Sequence, residues 1–419
     1  MNDYTLDNLA PSAVVAPASA EELAEALREA AEAGQAVVPW GGGTRQHIGG
    51  PPARYDRTLS TAGLARVVAY HPDDLVITVE AGAALGAVQA ELARHGQWLP
   101  WDPPLLGRAS VGGLLASAAA GPLRLGFGAP RDWTLGMRVA LGDGRLVRSG
   151  GRVVKNVAGY DTHKLQIGAL GTLGVIVEAT FKVQPLPEQR RTLLAAFTDR
   201  YAPGKAVAAL RAAPLEPIAV VALNQVTEEA IPLLHRFLPE ERRYILVAAH
   251  YAGTGGAVGR QIREAARRCV EVGARTIELR EEDDGTLWAA IADLTAPAGD
   301  GSLLLRAATP GGDLTFAAAR AGLAAAARGW RPAQLAVGGP GLVYSRWPVA
   351  GADPAEVAKA LAGLRAELAA AGGYVVVEEA PAALALDRWG PEPAGAAIMR
   401  ALRAGWDPRG ILNPGRFLL

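Results

Sequence analysis

The sequence predicts an α+β protein of two domains, the second built on an antiparallel sheet covered by helices on one face. The chain has 419 residues, which corresponds to about two domains at roughly 100–200 residues each. Up to residue 187, short strands and helices alternate around glycine-rich loops. After Pro185-Leu186-Pro187 the pattern changes to strands alternating with long Ala-rich helices, an order typical of a sheet layered with helices.

The first domain begins with a helix that carries its own start and stop signals. Ser19 and Glu22 form a capping-box pattern, and Gly34 is a helix-terminating residue. Period-2 and period-3.6 apolar patterns then place further elements. These are strands at 37–39, 75–79 and 179–183, a short helix at 85–92, and a β-hairpin at 137–148 that turns at Gly142-Asp143-Gly144.

The second domain has a loosely repeating pattern of apolar strands and Ala-rich helices. The predicted strands are 192–197, 218–223, 244–250, 276–279, 303–307, 335–337, 342–345 and 374–378. The predicted helices are 204–211, 259–272, 315–327 and 354–371, with a final helix at 395–404. The predicted division is therefore residues 1–187, residues 188–380 and a C-terminal segment, residues 381–419, that returns to the first domain.

Charge and cysteine content exclude several classes of function. Lys plus Arg and Asp plus Glu both number 42, so there is no electrostatic case for a nucleic acid or an anionic membrane as partner. A lone cysteine, Cys269, cannot hold an iron–sulfur cluster or form an internal disulfide, and no metal site is predicted.

Location follows from segments that the sequence lacks. There is no basic N-terminal stretch followed by an apolar run, and no uninterrupted apolar run of roughly 18 residues. We therefore expect a cytoplasmic protein without a membrane span, and a peripheral position at the inner membrane through a partner stays open.

Three glycines follow the strand at 37–39. Because glycine has no Cβ, the backbone N–H groups of Gly41, Gly42 and Gly43 can converge on phosphate oxygens. Thr44 and Arg45 add a hydroxyl and a positive charge. The pattern is neither the dinucleotide-binding G-x-G-x-x-G nor a P-loop, and a plain turn is the alternative.

A second segment of small residues starts at Asp102-Pro103-Pro104. Small side chains would let a flat ring and a pyrophosphate approach the backbone, whereas a loop without a ligand is the alternative when the segment stands alone. The polar and glycine positions of interest are Ser110, Gly112, Gly113, Ser117, Gly121 and Arg124.

The third segment is the most specific, and it runs from Lys155 to Asp161 and from Lys164 to Ile176. Its glycines, the last of them Gly174, fall at fixed distances between apolar residues. Buried backbone amides need hydrogen-bond partners, and a cofactor can supply them.

Taken in this order, the three segments resemble the FAD-binding domain shared by flavoproteins of the vanillyl-alcohol oxidase or p-cresol methylhydroxylase (PCMH) type. The resemblance spans about residues 10–187, and residues 407–415 look like the closing motif of that family. It implies a two-part PCMH-type FAD-binding domain followed by an α+β cap domain. The cofactor-binding residues it implies are Gly41, Gly42, Gly43, Thr44, Arg45, Asp102, Ser110, Gly112, Gly113, Ser117, Gly121, Arg124, Gly174, Val175, Ile176 and Asn413.

The resemblance also implies roles for some of these residues. The glycine run up to Thr44 would cradle the pyrophosphate, Val175 and Ile176 would present backbone groups to the adenine, and Asn413 would lie near the flavin ring. Some members attach the flavin through a histidine where this chain has Thr44, so we expect non-covalent FAD. His47 is the alternative attachment residue.

Within the family, the likeness is to the glycolate oxidase and D-lactate dehydrogenase group, carried by Gly159-Tyr160-Asp161 and residues 171–174. Residues 154–161, residues 133–137 and Leu305-Arg306 look more narrowly like the FAD-binding subunits of bacterial glycolate oxidases. This implies a small 2-hydroxy acid substrate, with a catalytic FAD subunit and an iron–sulfur subunit as partners.

Catalytic relatives resemble one another in a motif close to H-x-G-D-G-N-x-H, and this chain lacks it. After residue 187 the histidines are His235 and His250. His250 is a candidate base for the hydroxyl proton, and Arg306 a candidate anchor for the substrate carboxylate. Arg306 lies on an apolar strand, so it needs either an acidic partner or an anionic ligand.

The missing motif favours one of three functions. The favoured function is an FAD-binding subunit of a glycolate oxidase complex. The second is a self-sufficient 2-hydroxy-acid dehydrogenase that uses Arg306 and His250. The third is a flavin-less scaffold.

Overall fold

The computed structural model describes residues 4–152, 159–238, 244–279, 281–310, 314–339 and 341–417. Residues 153–158, which include the start of the third glycine-rich segment, lie outside the described residues. The strands are β1 (Ala13–Val15), β2 (Val37–Trp40), β3 (Arg57–Ser60), β4 (Val67–His71), β5 (Val76–Glu80), β6 (Gln97–Trp98), β7 (Thr134–Ala140), β8 (Leu146–Gly150), β9 (Val175–Lys182), β10 (Gln184–Pro185), β11 (Gln189–Phe197), β12 (Ala219–Leu223), β13 (Ile245–Gly253), β14 (Arg275–Glu278), β15 (Leu303–Ala308), β16 (Ala333–Val337), β17 (Leu342–Trp347) and β18 (Tyr374–Glu379). The α-helices are α1 (Ala20–Glu32), α2 (Leu85–Ala93), α3 (Val111–Ala116), α4 (Arg124–Phe127), α5 (Pro130–Trp133), α6 (Ala202–Ala212), α7 (Gln225–Glu229), α8 (Gly255–Glu271), α9 (Glu281–Asp293), α10 (Leu314–Ala326), α11 (Pro354–Ala370) and α12 (Ala396–Trp406).

The chain forms two compact units. The first comprises residues 1–120, 128–186 and 391–419, and the second comprises residues 121–127 and 187–390. Two segments therefore differ from the division expected on sequence. Residues 121–127 join the second unit, where the backbone N–H of Gly126 donates to the carbonyl of Ile218 at 3.1 Å. Residues 381–390 join it too, because Val377 N–H donates to the carbonyl of Arg388 at 2.8 Å.

The first unit contains a parallel sheet in the order β1-β3-β2 and an antiparallel sheet in the order β4-β5-β9-β7-β8. The predicted N-terminus of α1 is confirmed, since the Ser19 hydroxyl accepts from Glu22 N–H at 3.1 Å. The Glu22 carboxylate accepts from Ala18 N–H at 2.8 Å. The predicted hairpin is confirmed by the antiparallel pairing of β7 with β8.

The C-terminal segment extends the parallel sheet. Leu412 forms a parallel bridge with Val37, in which Val37 N–H donates to Ile411 and Asn413 N–H donates to Val37, each at 2.8 Å. The Asp407 carboxylate fixes the approach to this bridge by accepting from the N–H groups of Ile411 at 3.0 Å and Leu412 at 2.8 Å. The closing motif thus lies beside the strand that leads into the three glycines.

Of the helices that the sequence did not predict, α3 and α9 are the longest. Residues 111–116 were expected in a loop, but they form α3, capped by the Ser110 hydroxyl that accepts from Gly113 N–H at 3.4 Å. Two glycines hide the helical pattern, while Leu114 and Leu115 are fully buried. The second case is α9, whose acidic first turn suits a helix N-terminus but obscures its apolar face.

The second unit is built on an antiparallel sheet in the order β14-β11-β13-β12-β16-β17-β15-β18. Alternate residues of its strands form one core with the buried faces of α6, α8, α10 and α11, as the period of 2 in a strand requires. The predicted helix-covered sheet is therefore confirmed. In addition, α9 packs against the opposite face near β11, where the Trp288 Nε1–H donates to the Thr192 hydroxyl at 2.7 Å. Over the part of the chain that the structure describes, no helix has both the length and the apolar character needed to cross a membrane.

Candidate cofactor site

One cleft in the first unit collects most of the predicted cofactor residues. Its empty volume is about 750 Å³, including the part open to solvent. The loop after β2, the start of α3, the start of β9 and the C-terminal segment form its walls. The predicted residues that line it are Gly41, Gly42, Gly43, Thr44, Arg45, Ser110, Gly112, Gly113, Ser117, Gly174, Val175, Ile176 and Asn413.

Three residues of the predicted set do not line this cleft. Asp102 belongs to the first unit but lies outside the cleft wall. Gly121 and Arg124 belong to the second unit, because the chain leaves the first unit shortly after α3. Of the predicted segment of small residues, only the part between Ser110 and Ser117 lines the cleft.

The glycine run allows two loops to approach each other closely. A Cβ on Gly41 would lie 2.0 Å from the Ser110 hydroxyl oxygen, and one on Gly42 would lie 2.0 Å from the carbonyl oxygen of Arg108. Gly42 N–H donates to the Ser110 hydroxyl at 3.2 Å. Glycine at position 42 is therefore needed for the close contact between the two loops. Its N–H group is bonded to Ser110, so it is not available to a ligand.

The cleft also contains residues that the sequence did not single out. Two of them are buried polar residues, Gln166 and Arg416, each 3 % exposed. The remaining unselected residues are Pro39, Trp40, Gln46, Ile48, Thr61, Ala116, Leu170 and Gly171. For Arg416 a signal existed, because it directly follows the closing motif. Gln166 lies within the third glycine-rich segment.

Arg416 ties the C-terminal segment to the loop that follows the glycines. Its guanidinium donates to the backbone carbonyls of Gly50 at 2.8 Å and Ile48 at 2.7 Å, and also to that of Gln46. Hydrogen bonds from a charged donor are stronger than neutral ones. One buried side chain thus fixes residues 46–50 against the end of the chain.

The cleft fits a dinucleotide cofactor. Glycines line it at Gly41, Gly42, Gly43, Gly112 and Gly113, so a ligand meets no side chain at these positions. Asn413 supplies a second criterion: its Nδ2–H donates to the Leu170 carbonyl, while its buried Oδ1 has no hydrogen-bond partner among the described residues. A buried acceptor of this kind needs a donor, and a bound cofactor can provide one.

Arg306 has an acidic partner in the second unit. Its Nε donates to the Glu378 carboxylate at 2.6 Å, across the pairing of β15 with β18. A second guanidinium nitrogen donates to the Tyr374 hydroxyl at 3.2 Å. Of the two explanations that the sequence left open for this arginine, the acidic partner is the one present in the structure.

His250 lies in a buried network on the face of the sheet that α9 covers. Its Nε2 is 3.0 Å from the Asp284 carboxylate, and both side chains are 5 % exposed. The imidazole stacks on Trp288 with ring centroids 4.9 Å apart. The Thr192 hydroxyl donates to the same carboxylate. The ring is therefore held by its neighbours within the unit.

The structure does not bring Arg306 and His250 together. Their strands, β15 and β13, are separated by β12, β16 and β17, which corresponds to about 19 Å at the usual spacing of roughly 4.8 Å per strand. The carboxylate anchor and the base expected from the sequence thus do not form one site.

Asp284 should make the stability of the second unit depend on pH in the acid range. Burial acts to raise the pKa of this carboxyl, but the hydrogen bond and charge of His250 and the bond from Thr192 outweigh it, so the pKa lies below its ordinary value near 3.8. A lowered carboxylate pKa stabilises the fold above the unfolded pKa, and that stability is lost as pH falls through the folded pKa. The unfolding free energy should therefore decline below about pH 4.

Asp284→Asn should lower the unfolding free energy at pH 7 by about 3–5 kcal/mol, since it leaves a buried imidazole without its carboxylate. The acid decline should also become shallower. Urea unfolding between pH 3 and pH 7 measures both effects. Asp293→Asn, at an exposed position on the same helix, is the matched control and should stay within about 0.5 kcal/mol of the parent chain. Equal acid declines in the parent and in Asp284→Asn would contradict the assignment.

Comparisons with known proteins support the interpretation of the cleft as a cofactor site. Residues 11–150 match the family model for the FAD binding domain, and residues 388–417 match that for the C-terminal domain of FAD linked oxidases. The chain is 31% identical over 217 residues to glycolate oxidase subunit GlcD of Bacillus subtilis, covering 52% of this chain and 46% of that protein. It is 38% identical over 174 residues to glycolate oxidase subunit GlcE of Escherichia coli, covering 41% of this chain and 49% of that protein.

A solved structure supports the fold over nearly the whole chain. p-Cresol methylhydroxylase with bound substrate superposes with a TM-score of 0.78 at 16% identity, covering 97% of this chain and 88% of that one. The α+β architecture with a PCMH-type first domain is thereby confirmed. The chain spans about half the length of the curated relatives it matches. The cofactor is FAD, and its mode of attachment remains a prediction.

Proposed function

We propose that this chain, which matches the family models for the FAD binding domain and for the C-terminal domain of FAD linked oxidases, is an FAD-dependent oxidoreductase subunit. In the proposal it supports the oxidation of a small 2-hydroxy acid, with glycolate as the first candidate. Its partners in the proposal are a catalytic FAD subunit and an iron–sulfur subunit. We place the complex in the cytoplasm, or at the inner face of the membrane through a partner. The similarity to two glycolate oxidase subunits supports the substrate and the complex.

The proposal rests on a contrast between the two units. The first contains a cofactor cleft, whereas the candidate catalytic residues of the second already have partners within the protein. Oxidation of a 2-hydroxy acid needs a cation for the carboxylate and a base for the hydroxyl proton. Arg306 is bonded to Glu378 and His250 lies against Asp284. Within the described ranges, no group of three or more His, Cys, Asp or Glu could hold a metal ion. A partner that supplies these groups would complete the reaction.

When bound, FAD supplies an acceptor for hydride or electrons. The residues of this chain would hold and orient it. The glycine run adds no side chains to the cleft and packs closely against Ser110, Asn413 offers an acceptor, and Arg416 fixes the adjoining loop. Thr44 is 6 % exposed and carries a hydroxyl where attachment would use an imidazole, so we propose that FAD is held non-covalently and is released by acid precipitation.

Flavin reduction by substrate tests the proposal. The FAD-loaded chain alone, mixed anaerobically with glycolate or D-lactate, should keep its visible flavin absorbance. Dithionite, as the control, should bleach it. Co-expression with a larger flavoprotein that carries the His motif and with a protein containing two clusters of four cysteines should restore glycolate oxidation.

Two results would replace the proposal with another function. Bleaching of the isolated chain by either substrate would identify a self-sufficient dehydrogenase. A purified chain that takes up no FAD, even with excess cofactor, would identify a scaffold.

A further inference from the structure

Gln166 has a buried side-chain amide that lines the cofactor cleft. It belongs neither to the glycine run nor to the C-terminal segment. It follows a 3-10 turn over Thr162–Leu165, and its backbone N–H donates to the His163 carbonyl at 3.1 Å. The side chain is 3 % exposed and lines the cleft. Its Oε1 has no hydrogen-bond partner among the described residues. A buried acceptor left in this state destabilises the protein.

The amide is held against the cleft wall by close packing. A Cβ on Gly174 would come within 3.4 Å of the Gln166 Nε2 and within 2.5 Å of a Val139 methyl carbon. Val139 is thus the side chain that requires glycine at position 174, and the Gln166 amide lies beside this position at an ordinary contact distance. Thr172 and Ala169 pair with each other through the threonine hydroxyl at 2.7 Å, so this nearby hydroxyl already donates elsewhere.

Asn413 presents a second acceptor to the same cleft. Its Nδ2–H donates to the Leu170 carbonyl, which leaves Oδ1 as the acceptor atom, and this atom also has no partner within the described ranges. Asn413 is 6 % exposed. Two buried amide oxygens in one cleft call for ligand groups that donate hydrogen bonds.

We propose that Gln166 is a cofactor-binding residue whose Oε1 accepts a hydrogen bond from a donor group of FAD, while Asn413 Oδ1 accepts one from another donor. A phosphate cannot fill this role, because an ionised phosphate is an acceptor at neutral pH. The donors that FAD offers are the adenine amino group, the isoalloxazine imide N–H and the sugar and ribityl hydroxyls. Gln166 therefore recognises a non-phosphate part of the cofactor. The inference depends on FAD alone and not on the proposed substrate.

Gln166→Leu tests the role through two effects of opposite sign. In the FAD-free protein the substitution removes a buried acceptor without a partner, so the melting temperature should rise. With FAD the same substitution removes a hydrogen bond to the cofactor, so the dissociation constant should rise about tenfold. Differential scanning fluorimetry of the FAD-free protein and fluorescence titration with FAD measure the two effects.

Gln46→Leu is the matched control within the same cleft. The Gln46 Nε2–H donates to the Pro39 carbonyl at 3.0 Å, so its replacement should lower the melting temperature of the FAD-free protein. Gln166→Met, which keeps the unbranched chain length, should behave like Gln166→Leu. A lowered melting temperature with unchanged FAD affinity would overturn the proposal, and so would failure of both Gln166 variants to fold, because either result would make Gln166 a structural residue.

Fragments of the cofactor identify the donor. ADP and FMN are each titrated into the parent protein and into Gln166→Leu by competition with FAD. Weaker ADP binding with unchanged FMN binding assigns the donor to the adenosine half. The reverse result assigns it to the flavin half. Unchanged binding of FAD and of both fragments would overturn the proposal.

Discussion

Gly42→Ala should yield a folded protein that no longer retains FAD. The new Cβ would lie 2.0 Å from the backbone carbonyl oxygen of Arg108, a contact that no rotamer change can relieve, because an alanine Cβ is fixed by its own backbone and the carbonyl belongs to the main chain. Moving either loop breaks the bond between Gly42 N–H and Ser110 and displaces the cleft floor. We expect the FAD dissociation constant to rise at least about 100-fold, which corresponds to about 2.7 kcal/mol. The ratio of flavin to protein after gel filtration measures the loss.

Gly107→Ala is the matched control, since it lies next to Arg108 in the loop that Gly42 contacts and its Cβ would meet nothing within 4 Å. Its FAD content should equal that of the parent chain. If Gly42→Ala also retains FAD with parent affinity, the close approach of the two loops does not hold the cofactor, and the cleft must bind it through other walls.

Arg416→Gln should weaken both the fold and the cofactor site. The side chain is 3 % exposed and donates to three backbone carbonyls of residues 46–50. Hydrogen bonds to a charged group contribute about 1.5–3 kcal/mol each, and a shorter neutral amide recovers only part of them. We expect a loss of about 3–5 kcal/mol of unfolding free energy, measured by urea unfolding, together with lower FAD occupancy.

Arg400→Gln provides the comparison for this effect. Arg400 lies on α12, pairs with Glu392 and has 52% of its side chain exposed, and such surface pairs contribute about 0–1 kcal/mol. Arg416→Lys should fall between the two, because it keeps the charge with a different donor geometry. Parent-like stability and FAD content in Arg416→Gln would show that residues 46–50 hold their position without the C-terminal segment.

Local patterns predicted most of the fold, and two causes account for α3 and α9, the longest helices that they missed. Strand alternation placed the sheet of the second unit because each strand buries one face against helices. The capping residues located α1 because Ser19 and Glu22 act within one turn. By contrast, glycines concealed α3 and a run of acidic residues concealed α9. Both helices are stabilised mainly by burying a few apolar residues against distant parts of the chain. A local sequence pattern carries no information about such contacts.

The cofactor site was predictable where its requirement is local. Positions 41 and 42 have no room for a Cβ, so they require glycine, and a run of glycines is visible in the sequence. Gln166 and Arg416 depend on the meeting of segments far apart along the chain; Arg416 and Gly50, for example, are separated by 366 positions. The same holds for Arg306, for which the sequence required a partner but could not identify Glu378, 72 positions away.

The bridge between Val37 and Leu412 determines when the protein can first hold its cofactor during biosynthesis. A ribosome adds roughly 5–20 residues per second, so on the order of 20–70 s separates synthesis of the glycine run from synthesis of the segment that covers it. Over that interval β2, an edge strand of its sheet, exposes unpaired backbone groups of the kind that template aggregation. The FAD cleft therefore gains the wall that carries Asn413 and Arg416 only after residues 411–413 have been made and have paired with β2.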